Sequence, residues 1–506
     1  MSRNRDLGEM WDVAVVGLGP VGTTLAGLLG KRGLRVLGID RERDIYQLPR
    51  AGHMDHTVLR TLGELGCLDE VFGDTIPNQG VRLVNGSGAL LAEIRAQKLT
   101  PSGLPASVHF HQPGLDRTLR ACVDAVPSVT VINGNELVGI EENDSGVTLA
   151  IRSETGLRQE QSRFVVGCDG AQSTVRALGG IKLIDFGFAE SWIVIDLILK
   201  GRVPALPINT TFGADPARPY AAIELPGMRY RFEFMLLPGE TAAQLTTRSA
   251  AERLIAKWIS PSEIHKIERS VAYTFRGASA DSWRKGRLMV AGDAAHLTPP
   301  FLGQGLCSGV RDVVNLAWKL HHVLRHGAPP SLLNTYQTER DPHVRNVITT
   351  SIELGKVLCI LDTGKARDRD EKMLASGKEP DQRVSFRLGE LVPGPLVLSG
   401  GGMFMISPPI DGVPLDDIVG QHFLVLARED SVLTAAAQWW KSIGAYVATI
   451  GQLPTTDDSL RRWMDRRNAS VLVVRPDRYV LAAGESLEKI TAEVKSLLAN
   501  PVLAEV

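Results

Sequence analysis

The stretch WDVAVVGLGPVGTTLAGLLGKRGLRVLGIDRE, residues 11–42, limits the fold more than any other part of the chain. Val13 to Val16 is a short apolar run rich in β-branched residues, the pattern of a buried strand. A glycine-rich turn follows, then Thr23 to Lys31 reads as a helix rich in Ala and Leu, ended by Gly33. RVLGID is a second strand. Strand, turn, helix and strand in this order open a parallel sheet with helices on its faces. The turn is Gly17-Leu18-Gly19-Pro20-Val21-Gly22. Gly17 permits the tight turn, Gly19 lets backbone approach a pyrophosphate, and Gly22 lets the helix pack close to the strand. The helix start adds free N–H groups and a positive dipole end. Asp40 lies 18 residues after Gly22, near the roughly 20 expected of a ribose-binding acid. By itself the hexapeptide is also compatible with a plain glycine-rich turn. Its setting favours dinucleotide binding.

A chain of 506 residues exceeds one core, and domains of roughly 100–200 residues give two to four units. Lys+Arg is 56 and Asp+Glu 57, so neither a nucleic-acid surface nor an anionic-membrane surface is expected. Five cysteines, Cys67, Cys122, Cys168, Cys307 and Cys359, are scattered without a CxxC pair. With no histidine cluster read at metal spacing, neither a disulfide framework nor a metal site is expected, which fits a reducing cytosol. The polar start MSRNRDLGEM carries no signal-peptide core. No uncharged apolar run approaches the ~20 residues of a membrane span. The expectation is a soluble cytoplasmic protein.

Between about 185 and 275, SWIVIDLILK, YAAIELP and YRFEFMLLP read as strands bounded by Gly and Pro, a second, sheet-built layer. Ser308 to Leu324 has helical apolar spacing, and a second helix is expected around Thr335 to Leu361. Residues 365–382 read as a charged, solvated connector. Beyond them GQHFLVLAR, a helix near Ser431 to Ile443, RNASVLVVRPDRYVLAA and a final helix make a small α/β unit. The expected division is a core over 1–385 and a tail over 386–506. The core's sheet lies mainly at 80–105 and 185–275, with helices over 308–364.

Two further motifs carry chemistry. FVVGCDGAQSTVR, residues 164–176, ends a strand in Asp169-Gly170 and opens a helix; a capped strand–helix turn is the plain alternative. VAGDAAHLTPPFLGQG, residues 290–305, joins Asp293, a Pro299-Pro300 corner, and Gly303 and Gly305 just before the helix expected at Ser308. The acid can accept hydrogen bonds from sugar hydroxyls. The prolines stiffen the backbone, and the bare amides at a helix start stabilise negative charge.

In their order and separations the three motifs resemble the class A flavoprotein aromatic monooxygenases over about the first 350 residues. That resemblance implies an α/β fold in which a Rossmann-type FAD-binding domain is interleaved with a β-sheet-rich substrate domain. It implies Gly17, Gly19, Gly22, Asp40 and Asp293 as FAD ligands, with Arg41, Gln112 of FHQPGLDRTLR, Asp169, Pro300, Gly303 and Gly305 beside them. YRFEFMLLPGE, VAYTF, WRKGRLMVAGDAAHLTPPFLGQG and YQTERDPH look like the 3-(3-hydroxyphenyl)propionate hydroxylases, relatives of phenol hydroxylase and of the polyketide hydroxylases. VLVVRPDRYVLAA resembles the thioredoxin-like tail of that branch. It lacks a CxxC, so a structural or assembly role is expected, compatible with a homodimer.

The resemblance also implies the catalytic candidates. MDHTVLRTL matches the phenol hydroxylase stretch at Asp55, whose carboxylate would accept the substrate's phenolic proton; helix capping is the alternative role. His53 flanks it. Tyr273 in AYTF falls near an active-site tyrosine, against the plainer reading of a half-buried strand residue. Arg50 in LPRAG is placed near the flavin or nicotinamide. Arg231 is offered to a substrate carboxylate, against a surface salt bridge. The implied reaction is hydroxylation of a phenol, ortho to its hydroxyl, with FAD, NADH or NADPH as transient donor, and O2. A 3-(3-hydroxyphenyl)propionate-like acid is one such substrate. A polyketide hydroxylase, a flavin reductase and a non-catalytic flavin-binding protein remain alternatives at the level of sequence.

Overall fold

Trp11–Val16 is buried along its whole length and pairs in parallel with Val36–Asp40 on one side and Gly156–Gly167 on the other. An apolar strand without alternation is what a parallel sheet covered on both faces requires. The computed structural model describes residues 10–376, 379, 381, 389–433, 435–453, 455 and 458–498. Its first sheet runs Arg284–Lys285, Leu288–Val290, Gly156–Gly167, Trp11–Val16, Val36–Asp40, Val129–Asn133, with Glu136–Glu142 and Val147–Ser153 added beside Gly156–Gly167. Helix Pro20–Lys31 follows the first strand, and the long helix Gly305–Arg325 packs against it.

The second sheet has the order His296–Leu297, Ile264–Ala280, Leu183–Leu199, Arg229–Met235, Tyr220–Leu225, Thr210–Ala214, Gly80–Asn85, Leu90–Arg95. All its pairs are antiparallel except Thr210–Ala214 with Gly80–Asn85. Strand period 2 divides its two central strands. Ile193, Ile195, Leu197, Tyr230, Phe232 and Phe234 share an apolar cluster with Ile255 and Trp258. The intervening residues Val194, Arg231 and Glu233 line a cavity on the other face. A small sheet of His53–Asp55, Ser107–Phe110 and Thr75–Pro77 sits where the two large sheets meet.

The tail sheet has the order Tyr446–Thr449, Leu424–Ala427, Val471–Val474, Val480–Gly484; the first pair is parallel and the others antiparallel. With helices Ala435–Ser442, Ser459–Asp465 and Leu487–Leu498 it has the βαβαββα order of a thioredoxin-like unit. Its turn at residues 475–479 is buried against the core. Arg475 donates to Glu339 at 2.6 Å, Asn315 donates to Asp477 at 2.9 Å, and Arg478 donates to Glu64 at 2.6 Å. Glu339 also accepts from Lys319 and Asn315. Burial opposes its ionisation, but Arg475 and Lys319 outweigh this and hold it at about 2.

Several boundaries differ from the sequence reading. The first helix starts at Pro20 rather than Thr23, because Pro is well placed in a first turn. The long helix starts at Gly305 rather than Ser308, and the following one spans Thr335–Leu358. The connector reading of 365–382 is overturned over Thr363–Leu374, a helix capped by Asp362. Its charge conceals a narrow inner face, where buried Arg369 donates to the Ala214 carbonyl at 2.7 Å. The expected division at 385/386 lies outside the described residues. Among the described residues no helix is long and apolar enough to cross a membrane.

Removing one partner of a buried ion network leaves uncompensated charge and costs about 3–5 kcal/mol. Arg475→Ala is therefore expected to lower the thermal midpoint and expose the tail to limited proteolysis. A variant as stable and protease-resistant as the parent would show that this network does not hold the tail.

Candidate active site

Gly17 has φ +86°, and a Cβ there would lie 2.5 Å from the Asp169 Cα; a Cβ on Gly22 would meet the Gly17 carbonyl at 1.9 Å. These two glycines are needed for the turn and for helix–strand contact. Gly19 differs: a Cβ there would meet nothing within 4 Å, so its backbone faces open space. The helix beginning at Pro20 has no side-chain cap and no acid in its first turn. Its amides are free beside a crevice of about 170 Å³ lined by Gly17, Gly19, Asp40, Arg41, Arg50 and Gln112. Donors at a helix start without a protein partner fit a pyrophosphate.

The Asp40 carboxylate accepts from Leu18 N at 2.8 Å, from Arg120 at 3.0 Å and from Glu42 N at 2.9 Å. Four acceptor positions minus three donors leave one for a ribose hydroxyl. Arg41 is exposed at the crevice edge and pairs with Glu42. Asp169 also lines the crevice, but its carboxylate accepts from Thr174 N, Val175 N and the Ser173 hydroxyl. It shapes the wall and caps a five-residue helix, Thr174–Leu178. Gln112 accepts through Oε1 from Arg50 N and Ala51 N, at 2.9 and 2.8 Å, so it holds the LPRAG segment in place. Arg50 lies over the Tyr46 ring, 4.6 Å from its centroid.

Arg50 also borders a second chamber of about 510 Å³, which contains Asp293, Pro300, Gly303 and Gly305 on one side and the second sheet on the other. Asp293 is open to this chamber yet deep in the protein, and burial raises its pKa. Its carboxylate has no ion-pair partner among the described residues. Gly303 takes φ +63°, and a Cβ on Gly305 would meet nothing within 4 Å. The helix from Gly305 has no side-chain cap and no first-turn acid. An unpaired acid and a bare helix start facing one chamber fit a ribityl chain and a ring that gains negative charge on reduction.

Arg231 lines the second chamber but is not a surface residue, and most of its donors are taken by the protein. It is 4% exposed. It donates to Asp196 at 2.7 Å, to the Arg50 carbonyl at 2.8 Å and to the Pro49 carbonyl at 2.9 Å. Arg269 occupies the other Asp196 oxygen. Tyr273 is 37% exposed and its hydroxyl accepts from Arg269 at 3.2 Å. The phenolic proton is left to donate into the chamber that Tyr273 borders.

A third, mostly apolar chamber of about 310 Å³ continues from the second, sharing His53, Asn78, Val81, Phe212, Phe301 and Leu302 with it. Asp55 and His53 both line it. Asp55 caps helix His56–Leu65, its Oδ1 accepting from Thr57 N at 3.0 Å and the Thr57 hydroxyl at 2.6 Å. Its Oδ2 accepts from Arg311 at 2.8 Å. Burial opposes the charge, but Arg311, His56 and Thr57 together hold this carboxyl below the usual carboxylate range. Capping and a chemical role therefore coexist: one further acceptor position lies on Oδ2, with the Cys307 thiol, which also interacts with this carboxylate, as its competitor inside the protein. His53 Nδ1 lies 3.0 Å from the Gly303 carbonyl. A carbonyl only accepts, so Nδ1 carries the proton and Nε2 is a free base. Burial lowers its pKa and keeps the ring neutral.

The sequence reading missed Arg311, Arg120, Asn78 and Gln304. Arg311 had a signal: it sits in an otherwise apolar helix, beside Asp312 and four residues before Asn315. Polar residues on the buried side of a helix imply buried partners.

The family described as "FAD binding domain" matches residues 10–351, and that described as "HcaD C-terminal domain" matches 407–499. The chain belongs to the family of FAD-dependent aromatic hydroxylases. It is 34% identical over 505 residues to a "probable NADH-specific resorcinol 4-hydroxylase" of Rhodococcus jostii, covering 96% of this chain and 94% of that one. It is also 34% identical over 526 residues to the 3-(3-hydroxy-phenyl)propionate/3-hydroxycinnamic acid hydroxylase of Mycolicibacterium smegmatis, covering 96% and 92%. Solved structures share the fold: aklavinone-11 hydroxylase with FAD and aklavinone has a TM-score of 0.79 at 21% identity, covering 97% of this chain and 100% of that one. The anhydrotetracycline hydroxylase OxyS of Streptomyces rimosus has 0.78 at 22%, again over 97% and 100%. The protein is thus an aromatic monooxygenase that uses FAD, a nicotinamide and O2.

A charged hydrogen bond is worth about 1.5–3 kcal/mol. Asp293→Ala is expected to weaken FAD retention roughly 10- to 100-fold, read as flavin released on dilution. Full occupancy at low free flavin would remove Asp293 from the FAD set.

Proposed function

We propose that this monooxygenase hydroxylates a single-ring phenol next to its hydroxyl. The phenol, O2, NADH and a proton give the ortho-diphenol, water and NAD+. The reading rests chiefly on the third chamber: apolar walls end at Asp55 and His53, and among the described residues no Lys or Arg lines it. A neutral ring with hydroxyl groups suits such walls. A carboxylate inside them would meet Asp55 and find no cation among the described lining residues. A propionate chain fits this reading only if it points back to the second chamber, towards Arg276 or Arg50. NADH as donor is supported by the printed name of the Rhodococcus relative. A polyketide substrate has weaker support, since the solved neighbours speak for the fold alone.

FAD, when bound, would supply the redox chemistry: hydride acceptance from the nicotinamide and transfer of one oxygen atom from O2 to the ring. The chain's own residues bind, orient and move a proton. Asp55, ionised throughout the neutral range, accepts a hydrogen bond from the substrate hydroxyl through its remaining Oδ2 position. This raises electron density at the neighbouring ring carbons. Its depressed basicity makes it a poor final acceptor, so His53 Nε2 takes the proton. Tyr273 donates from the second chamber. Phe212, Phe301 and Leu302, shared by the two chambers, keep water from the reacting position.

The deciding experiment pairs nicotinamide oxidation by FAD-loaded protein with product mass. Resorcinol, 3-(3-hydroxyphenyl)propionate and a fused-ring phenol are compared. Faster NADH loss and a product one oxygen heavier are expected with the small neutral phenol. Turnover confined to the fused-ring phenol would overturn the reading.

Asn caps helices as well as Asp does, so Asp55→Asn removes charge while keeping the cap. Hydroxylation is expected to slow about 10²–10⁴-fold, the range of proton-handling groups, with FAD retained. His53 has a lowered pKa. Protonation removes its free base only below the ordinary histidine range, so the rate should fall as pH drops through that region. His53→Gln should abolish this acid limb. A limb that persists unchanged would exclude His53 as the proton acceptor.

A further inference from the structure

The segment HHVLRHG, residues 321–327, closes the long helix where core and tail meet. The sequence reading had found no histidine cluster at metal spacing. The helix ends with His326 as its C-cap, φ −110° and ψ 9°, and this turns the His326 ring back over His322, 4.6 Å between centroids. His321 joins them, 4.9 Å from His326. One ring nitrogen from each of the three lies within 4.8 Å of the others.

We propose that His321, His322 and His326 form a binding site for a late first-row divalent metal ion of the zinc class, at the seam between the FAD-binding unit and the tail. Two observations carry this. The ligating atoms converge from one helix end. His322 is 4% exposed, and its Nδ1 is buried without a hydrogen-bond partner. Imidazole is a borderline ligand that suits Zn(II), Ni(II) and Cu(II) rather than Mg(II) or Ca(II).

His422, exposed before the tail's first strand, interacts electrostatically with His321 and His326. It is available as a fourth ligand; water is the other. The nearby cations Arg32 and Arg325 oppose an added positive charge. Both are compensated, Arg32 by Glu64 and Arg325 by Asp12. Zn–N distances of about 2.0–2.1 Å require the stacked His322 and His326 rings to turn towards a common point. His322 packs edge-on against Phe423 of the tail, 5.4 Å between centroids. A bound ion would therefore fix the helix end against the tail.

The test uses untagged, FAD-loaded, full-length protein stripped with a chelator. Zn(II) is then added, excess is dialysed away, and bound metal is counted. Co(II) titration gives an independent optical signal of coordination geometry. One retained equivalent is expected, with a zinc-dependent rise in thermal midpoint. His321→Ala and His326→Ala should each weaken binding at least tenfold and remove that rise while FAD occupancy stays at the parent level. His322→Ala is secondary, because a buried ring can be needed for folding. No stoichiometric retention, or affinity unchanged in both half-buried variants, would overturn the site.

Discussion

The helix Gly305–Arg325 is buried on nearly every side, yet it carries Arg311, Asp312, Asn315 and Lys319 inward. Charges without partners in such a place would cost several kcal/mol each. Each therefore has a partner on another element. Arg311 reaches Asp55 on the small sheet, Asp312 binds His296 and Arg340, and Asn315 and Lys319 bind Glu339. Asn315 extends the network to Asp477 of the tail. One helix thus places the phosphate-binding sheet, the GD loop and the tail relative to each other through directional, mutually exclusive contacts. An apolar helix would bind its neighbours without specifying their register.

This constraint also sets the chemistry. Arg311 leaves Asp55 ionised in a chamber that would otherwise neutralise it. A carboxylate in an apolar pocket usually has its pKa raised, as burial does at Asp116, pushed up to about 7, and at Asp293. Two acids near one cofactor crevice are therefore poised differently by their neighbours. Asp55 has a guanidinium and a hydroxyl, while Asp293 has no ion-pair partner among the described residues to offset its burial. The same loop that carries Gly303 fixes the His53 tautomer, so the segment that shapes the ring chamber also decides which nitrogen of His53 is basic.

The nucleotide half was legible because its signal is local. Gly17 and Gly22 obey steric rules that act within a few residues, and Asp40 follows at the end of the next strand. The sheet-rich middle was legible from apolar runs bounded by Gly and Pro. What was hidden depends on residues distant in sequence. Arg231 looked available from its strand context, but its partners at Pro49, Arg50 and Asp196 come from other elements. Arg311 and Asp55 are 256 positions apart, and no local pattern pairs them. Thr363–Leu374 was obscured for a different reason: a helix burying only Ala366 and Arg369 shows almost no apolar periodicity. The histidines at 321, 322 and 326 were passed over although His322 and His326 are four residues apart, the spacing that puts two side chains on one helix face.

The tail's contribution follows from the same physics. It has no cysteine, so dithiol chemistry is closed to it. Its 475–479 turn instead fills the outer side of the long helix with an arginine, an aspartate and a second arginine, each paired to the core. Tyr479 at the end of that turn is 4% exposed and interacts electrostatically with both Arg311 and Asp55. The tail thus adds a buried side chain beside the ion pair at the end of the third chamber. Water at that position would weaken the Coulomb attraction that keeps Asp55 charged and oriented. The tail's packing and the basicity of the chamber's acid are one electrostatic problem, solved on both faces of one helix.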